Sequence, residues 1–127
     1  MDIDLPATIA EIRTEFDRYE AALIANDIDA LSAFFWRDPR AVRLSPGGGL
    51  YGFEEIAAFR KGRDVSDVAR DLERITILAL GVDCGVATAE YRRRGSGRRG
   101  AQSQTWARLP EGWRIVAAHV SLDPPAS

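Results

Sequence analysis

Residues 102–122 read QSQTWARLPEGWRIVAAHVSL, in which two runs of alternating apolar and polar side chains flank the turn signal PEG. Because parallel strands need a crossover of a dozen residues or more, so short a turn predicts an antiparallel hairpin. Upstream of it, DLERITILAL leads through GVDCG into VATAEYRRR, and GSG then precedes the hairpin. Four strands joined by short turns predict an antiparallel meander that begins at Asp71.

Helices are predicted before the meander. An amphipathic helix is expected from about residue 7 to 26, because apolar residues recur there at steps of three and four: Ile9, Ile12, Phe16, Tyr19 and Leu23. A shorter helix is expected over ALSAFFW, residues 30–36, and a third over residues 53–60. Helices followed by a twisted antiparallel sheet predict an α+β fold. In it a cone-shaped curved sheet wraps around the N-terminal helices and encloses a pocket.

Length and composition narrow the class of protein. A chain of 127 residues, 46% of them apolar, predicts one domain spanning residues 1–127. The net charge of −2 provides no overall field to recruit nucleic acid or a membrane surface. Cys84 and His119 are each the only residue of their type, which excludes an internal disulfide and Cys/His zinc sites. With no visible secretory signal or membrane-spanning run, we expect a cytoplasmic protein that uses no metal or cofactor.

A glycine cluster in residues 43–59, RLSPGGGLYGFEEIAAF, matches the G-x-G-x-x-G spacing of a dinucleotide-binding turn. Such a turn follows a buried apolar strand and opens a parallel βαβ unit. Here the preceding strand is half polar and the later strands form antiparallel hairpins. Glu54 and Glu55 would also repel phosphates at the start of the helix. The glycines are therefore interpreted as turn residues rather than as a nucleotide site.

Alternation along the predicted strands assigns side chains to the two faces of the sheet. The face expected to line the pocket carries polar groups among aromatics: Gln102, Gln104, Trp106, Trp113, His119 and Ser121, with Thr88 and Glu90 on the neighbouring strand. The opposite face is expected to pack on another layer or subunit through small apolar residues: Ala87, Ala89, Val116, Ala118 and Val120. The arginines of YRRRGSGRRG either form a solvated hairpin tip or attract anions to the pocket mouth.

Three segments carry a family resemblance: RYEAALIANDIDALSAFFWRDPRAVR, LYGFEEIAAFR and SQTWARLPEGWRIVAAHVSL. They resemble the AtzH-like family, which includes proteins labelled oxalurate catabolism protein HpxZ and belongs to the SnoaL-like, nuclear transport factor 2-like superfamily. The resemblance runs from about Ile9 to Leu122. It implies the cone fold and a homodimer formed through the sheet. It also implies conversion of 1,3-dicarboxyurea to allophanate, a decarboxylation without a cofactor.

The resemblance further implies a catalytic pair, Tyr19 on the first helix and Arg43 on the first strand. Tyr19 lies on the apolar stripe of its helix, so the pattern independently turns it inward. The alternative for Tyr19 is a core tyrosine bonded to a backbone carbonyl. The pattern does not decide which way Arg43 points. The alternative is an arginine that faces solvent, with Val42 and Leu44 on the buried side.

These two residue types suit the implied chemistry. An acid beside the urea nitrogen promotes loss of carbon dioxide, and arginine holds the other carboxylate in a bidentate geometry that lysine lacks. Further substrate-binding candidates are the aromatic and polar side chains expected at the pocket: Trp36, Phe59, Gln104, Trp106, His119 and Ser121. For His119 the alternative is a structural role, which is commoner for a lone histidine in an apolar strand.

The resulting hypothesis is a homodimer with one pocket per chain, in which a small anionic ureide-type substrate loses carbon dioxide. The alternative is a non-catalytic ligand-binding or accessory protein of an amidase pathway for oxalurate or other ureides. Such a protein would bind a metabolite or stabilise the amidase. Many domains of this fold bind without catalysing, so the fold alone does not choose between the two. Neither hypothesis includes a nucleic acid or a membrane.

Overall fold

The computed structural model describes residues 1–125, which contain three helices and six strands. In chain order the elements are α1 (Pro6–Ala25), α2 (Ile28–Ala33), β1 (Val42–Ser45), β2 (Gly48–Tyr51), α3 (Phe53–Gly62), β3 (Arg70–Leu80), β4 (Cys84–Arg93), β5 (Arg99–Leu109) and β6 (Gly112–Leu122). The strands form one six-stranded curved sheet, and the helices pack on its inner face. The predicted α+β architecture is confirmed.

The strand order in the sheet is β2-β1-β6-β5-β4-β3. Strands β3 to β6 form the predicted antiparallel meander. One pairing differs from the expected antiparallel sheet, because β1 runs parallel to β6, with Val42 opposite Ala117 and Leu44 opposite His119. Helix α3 and four further strands separate the two in the chain, which gives the long crossover that parallel pairing requires.

The glycine cluster reverses the chain, as the sequence predicted. Strands β1 and β2 form a tight antiparallel hairpin, in which Gly48 has a φ of 118°. Gly52 has a φ of 89° and directly precedes α3, where Glu55 accepts a hydrogen bond from the Tyr51 N–H at 3.0 Å. Positive φ explains the choice of glycine at positions 48 and 52. A hairpin followed by a helix is not the strand–turn–helix unit of a dinucleotide-binding fold.

Helix α1 presents its predicted stripe to the inner face of the sheet. Ile12 and Phe16 are fully buried there, and Tyr19 is 5% exposed. The helix begins at Pro6, which suits a first turn whose N–H groups lack helical partners. Thr8 donates its hydroxyl to the Gly81 carbonyl oxygen at 3.1 Å and so ties α1 to the turn after β3. None of the described helices combines the length and the apolar character that crossing a membrane requires.

A bulge in β6 changes which side chains face inward. Thr105 pairs with Ala117 but Trp106 pairs with Ile115, so Val116 is an extra residue in β6. An extra residue inverts the alternation beyond it. Ile115 remains on the buried inner face with Ala118, whereas His119 and Ser121 are exposed on the outer face. Trp113 is also buried, so the predicted shared face of Trp113, His119 and Ser121 is wrong.

The faces of β4 are also opposite to the prediction. Ala87 and Ala89 are buried and pair with Gln104 and Gln102 of β5, whereas Thr88 is exposed. Because α1 contacts β4 directly, small side chains on the inner face let the helix approach the strand. Thr88 and Glu90 of β4 therefore lie outside, and the alanines of the strand form part of the core.

Gly85→Ala is expected to destabilise this packing. A Cβ at Gly85 would lie 2.6 Å from the Leu78 carbonyl oxygen and would overlap Ile12 Cδ1 of α1. Because a backbone oxygen in a paired strand has little freedom to move, the change should cost about 1–3 kcal/mol and lower the melting temperature. Gly47→Ala is the matched control, since a Cβ there meets no atom of the described residues within 4 Å. Equal melting temperatures for the two variants in calorimetry would contradict the packing described.

Candidate functional site

A cavity of about 400 Å³ lies between the helices and the inner face of the sheet. Residues from α1, β1, the end of α3 and the ends of strands in the meander line it. The lining includes three arginines, two aromatic residues and a glutamine: Arg43, Arg63, Arg70, Tyr19, Phe59 and Gln102. Guanidinium groups thus surround a phenol, and this composition favours a ligand with negative charge.

Tyr19 is held by a buried arginine from α3. Arg60 is 2% exposed and lies one turn after Ile56, so the inward face of α3 carries it into the core. Its Nη2 donates a hydrogen bond to the Tyr19 hydroxyl oxygen at 2.5 Å. A guanidinium group has only donors, so the phenol oxygen is the acceptor and its own proton points elsewhere. Because Tyr19 lines the cavity, this proton is available to a bound molecule.

Positive charge also tunes the acidity of Tyr19. Burial alone would raise the pKa of this tyrosine, but the charges of Arg60, Arg43 and Arg70 outweigh burial and hold its pKa below the ordinary value. The ring is fixed by an edge-to-face contact with Phe34, with the centroids 5.7 Å apart. A fixed phenol of lowered pKa gives up its proton more readily and is stabilised as the tyrosinate.

Arg70 is neutralised within the protein. Its guanidinium forms a salt bridge to Glu20 of α1, in which Nε donates to Oε2 at 3.2 Å and Nη2 donates to Oε1. Nη2 also donates to Gln102 Oε1 at 2.7 Å, and the Gln102 amide donates to Glu20 at 3.2 Å. The guanidinium carbon lies 4.2 Å from the Tyr91 ring centroid. With its hydrogen bonds satisfied internally, Arg70 shapes the cavity wall but does not need a ligand.

Arg43 is different, because it has no carboxylate partner among residues 1–125. It reaches the cavity from β1, is 4% exposed, and places its guanidinium carbon 4.8 Å from the Phe59 ring centroid. Its Nη1 has no hydrogen-bond partner there. Burial, together with repulsion from Arg60, lowers the pKa of Arg43 to about 10, so the group remains charged at neutral pH. A buried cation without a counter-ion is costly, and an anionic ligand would relieve that cost.

Of the eight residues predicted for the site, three line the cavity: Tyr19, Arg43 and Phe59. Gln104 and Trp106 are buried in the core, where the indole N–H donates to Gln104 Oε1 at 3.2 Å. Neither is part of the cavity wall. Their hydrogen bond satisfies two polar groups inside the fold, which is a structural role.

The other three predicted residues lie elsewhere. Trp36 is half buried and packs against the hydrophobic core. His119 and Ser121 line a separate groove of about 460 Å³ on the outer face of the sheet. The expectation that these three side chains line the pocket is wrong, and for two of them the bulge at Val116 is the reason.

Four charged residues near the site were missed by the sequence reasoning: Glu20, Arg60, Arg63 and Arg70. Arg60 follows Ile56 at helical spacing, and Arg70 precedes Leu72 by two positions in β3, so each shares a face with an apolar residue. This spacing is a weak signal, because an arginine on such a face commonly buries its stem and keeps its charge in water.

Comparisons with known proteins agree with this fold. The AtzH-like family matches residues 1–125. A protein of unknown function from Pectobacterium atrosepticum is 46% identical with a TM-score of 0.92, over 97% of this chain and 96% of that one. A cystatin-like fold protein from Burkholderia xenovorans is 38% identical with a TM-score of 0.91, over 99% of each chain. An NTF2-like protein from Pseudomonas putida, 20% identical over 92% of this chain and 87% of that one, shares the fold with a TM-score of 0.80. No curated protein matches the chain.

The lowered pKa of Tyr19 predicts a tyrosinate signal that depends on Arg60. In an ultraviolet pH titration, the difference between wild type and Tyr19→Phe should show a phenol that ionises below about pH 10, the ordinary tyrosine value. Arg60→Gln should raise the pKa of Tyr19, because it removes the hydrogen bond to the hydroxyl and the positive charge that lowers this pKa the most. Folded Tyr19 should therefore add stability that is complete above about pH 10 and is lost as the pH falls through its folded pKa.

Arg37→Gln is the matched control for this titration. It removes one positive charge from an exposed arginine, which lies 4.7 Å from the Phe53 ring centroid and outside the cavity. It should leave the Tyr19 ionisation where it is in the wild type. An Arg60→Gln titration identical to that of Arg37→Gln would contradict the electrostatic role of Arg60.

Proposed function

Since the chain belongs to the AtzH-like family, we propose that it is a cofactor-independent decarboxylase of a small N-carboxy urea such as 1,3-dicarboxyurea. The observation that carries the proposal is the pairing of a proton donor with a free cation. The Tyr19 hydroxyl accepts a hydrogen bond from Arg60, so its own proton is left for the cavity. Arg43 lines the same cavity and has no counter-ion among the described residues.

Arg43 supplies the binding step. One carboxylate of the substrate lies against its guanidinium, with two parallel N–H···O hydrogen bonds. This contact satisfies Nη1, which has no partner among the described residues. The face of Phe59 fixes the guanidinium plane, so the carboxylate is held in one orientation.

Tyr19 supplies the chemical step. Its hydroxyl donates a proton to the urea nitrogen that bears the second carboxylate. The bond between that nitrogen and the carboxylate carbon breaks, its electron pair stays on nitrogen, and the carbon leaves as carbon dioxide. Allophanate is the other product, and the tyrosinate regains its proton from water. Arg60 and Arg43 stabilise the tyrosinate in the interval, which is the same effect that lowers the pKa of Tyr19.

The proposal predicts that Tyr19→Phe separates binding from turnover. The variant keeps the ring and its contact with Phe34 but loses the proton, so kcat for carbon dioxide release should fall about 10²–10⁴-fold with KM little changed. Tyr51→Phe, at a tyrosine that is 64% exposed, is the matched control and should have wild-type kcat. Release of carbon dioxide from freshly prepared 1,3-dicarboxyurea is the measurement.

Arg43→Lys tests the binding step. Lysine keeps the charge but loses the two-pronged contact, so KM should rise about 10-fold or more. Wild-type protein that binds the substrate analogue malonate but releases no carbon dioxide would favour the alternative, a ligand-binding or accessory protein of an amidase pathway. Undiminished turnover in Tyr19→Phe would refute the mechanism.

The proposal includes a homodimer formed through the outer face of the sheet, as the family resemblance implies. The apolar surface expected for it is not there, because Ala118 is buried on the inner face and Val120 lines the cavity. The outer face instead carries short polar side chains, among them Thr88, Ser103 and Ser121. Short side chains let two sheets approach closely, and a twofold axis would place the same groove on both partners.

Ser103→Arg should disrupt this dimer. Ser103 lies between Thr88 and His119 on adjacent strands, near the middle of the outer face, so a long charged side chain there would hold a second sheet away. Sedimentation should show dimers for the wild type and monomers for the variant. Ser66→Arg, at an exposed loop residue, should remain dimeric. A monomeric wild type at micromolar concentration would contradict the dimer.

A further inference from the structure

Arg63 is a second cation on the cavity wall that lacks a carboxylate partner within residues 1–125. It follows α3 directly, is half buried, and lines the same cavity as Arg43. The other two arginines of the wall are neutralised. Arg70 is bonded to its glutamate as described, and Arg93 lies 3.7 Å from Asp67. Within the described part of the chain, two guanidinium groups on one cavity, those of Arg43 and Arg63, therefore lack a carboxylate partner.

A carboxylate on the cavity wall does not neutralise Arg63. Asp64 is its chain neighbour and lines the cavity, but the aspartate is exposed and accepts a hydrogen bond from the Ser66 N–H at 2.9 Å. That hydrogen bond lowers the pKa of Asp64. No salt bridge joins Arg63 to Asp64 or to any other acidic residue in the described chain. The wall therefore keeps a positive excess.

The two free guanidinium groups share one aromatic ring. The guanidinium carbon is 4.8 Å from the Phe59 ring centroid in Arg43 and 5.6 Å in Arg63. Their separation cannot exceed the sum of these distances, which is a span that one small molecule can bridge. Burial, with repulsion from Arg60 and Arg43, lowers the pKa of Arg63 to about 10, so both groups are charged at neutral pH.

We propose that Arg63 is a specificity-determining residue that binds a second anionic group, so that the cavity selects molecules with two carboxylates over those with one. The inference rests on the proposed function, in which Arg43 holds the first carboxylate. A dianion satisfies both free cations, whereas a monoanion of the same shape leaves one of them without a partner. Arg63 acts on binding, since the hydrogen bond that orients the Tyr19 hydroxyl comes from Arg60.

Isothermal titration calorimetry with malonate and malonamate tests this role. The two probes have nearly the same shape, but malonamate has an amide in place of one carboxylate. Wild type should bind malonate about 10- to 100-fold more tightly than malonamate, the range that one charged hydrogen-bonding contact provides. Arg63→Gln should bring the two affinities together by weakening malonate alone. Arg63→Lys should give an intermediate ratio.

Matched variants separate this effect from a general loss of charge or of folding. Arg37→Gln removes a cation that contacts Phe53 away from the cavity, so it should keep the wild-type ratio. Each variant is first compared with wild type by circular dichroism and thermal unfolding. A wild type without preference for malonate, or an Arg63→Gln variant that retains the preference, would overturn the role of Arg63.

The outcomes also distinguish this inference from the proposed function. If Arg63→Gln loses the preference while Tyr19→Phe retains full turnover, Arg63 keeps its role and the decarboxylation mechanism fails. If Arg63→Gln keeps the preference while Tyr19→Phe loses turnover, the mechanism stands and the assignment of Arg63 fails.

Discussion

Among residues 1–125, the interior of the fold contains more positive than negative charge, and the functional site depends on that imbalance. Arg43, Arg60 and Arg70 are each less than a tenth exposed, and Glu20 is the carboxylate that forms a salt bridge with one of them. Isolated buried cations oppose folding, so the apolar packing of α1 against the sheet has to outweigh them. The phenol of Tyr19 accepts a hydrogen bond from Arg60 and is held at a lowered pKa by these charges, which links the stability of the arginine cluster to the acidity of the phenol.

Much of the fold follows from short-range patterns in the sequence. The period of three and four places the stripe of α1, and turns between alternating runs give the order of β3 to β6. These patterns report local geometry, so they could not give the parallel pairing of β1 with β6. That pairing joins Val42 to Ala117, 75 positions later, and depends on the packing of the whole sheet. The short strand β2 was missed for a related reason, because its glycines predict only a turn.

The candidate site was less predictable than the fold, for two physical reasons. The bulge at Val116 inverts the faces of β6, and a strict alternation carried through it assigns His119 and Ser121 to the wrong side. The arginines pose the opposite problem, since charged residues belong outside in any pattern based on hydrophobicity. Tyr19 was found because it continues an apolar stripe. Arg43 was predicted through the family resemblance. Arg60 was missed because an arginine near the end of a short helix is usually exposed.

The parallel contact between β1 and β6 also sets the order in which the site can assemble. Strand β1 carries Arg43 and lies between β2 and β6, so the β1–β2 hairpin joins the described sheet only through β6. Contacts of such long sequence separation slow folding, because the entropy of closing the loop opposes them. On the ribosome, β6 emerges after the other eight elements of residues 1–125. A chain that lacks β6 can thus pair β3, β4 and β5. It has no strand with which β1 can pair to hold Arg43 near Tyr19.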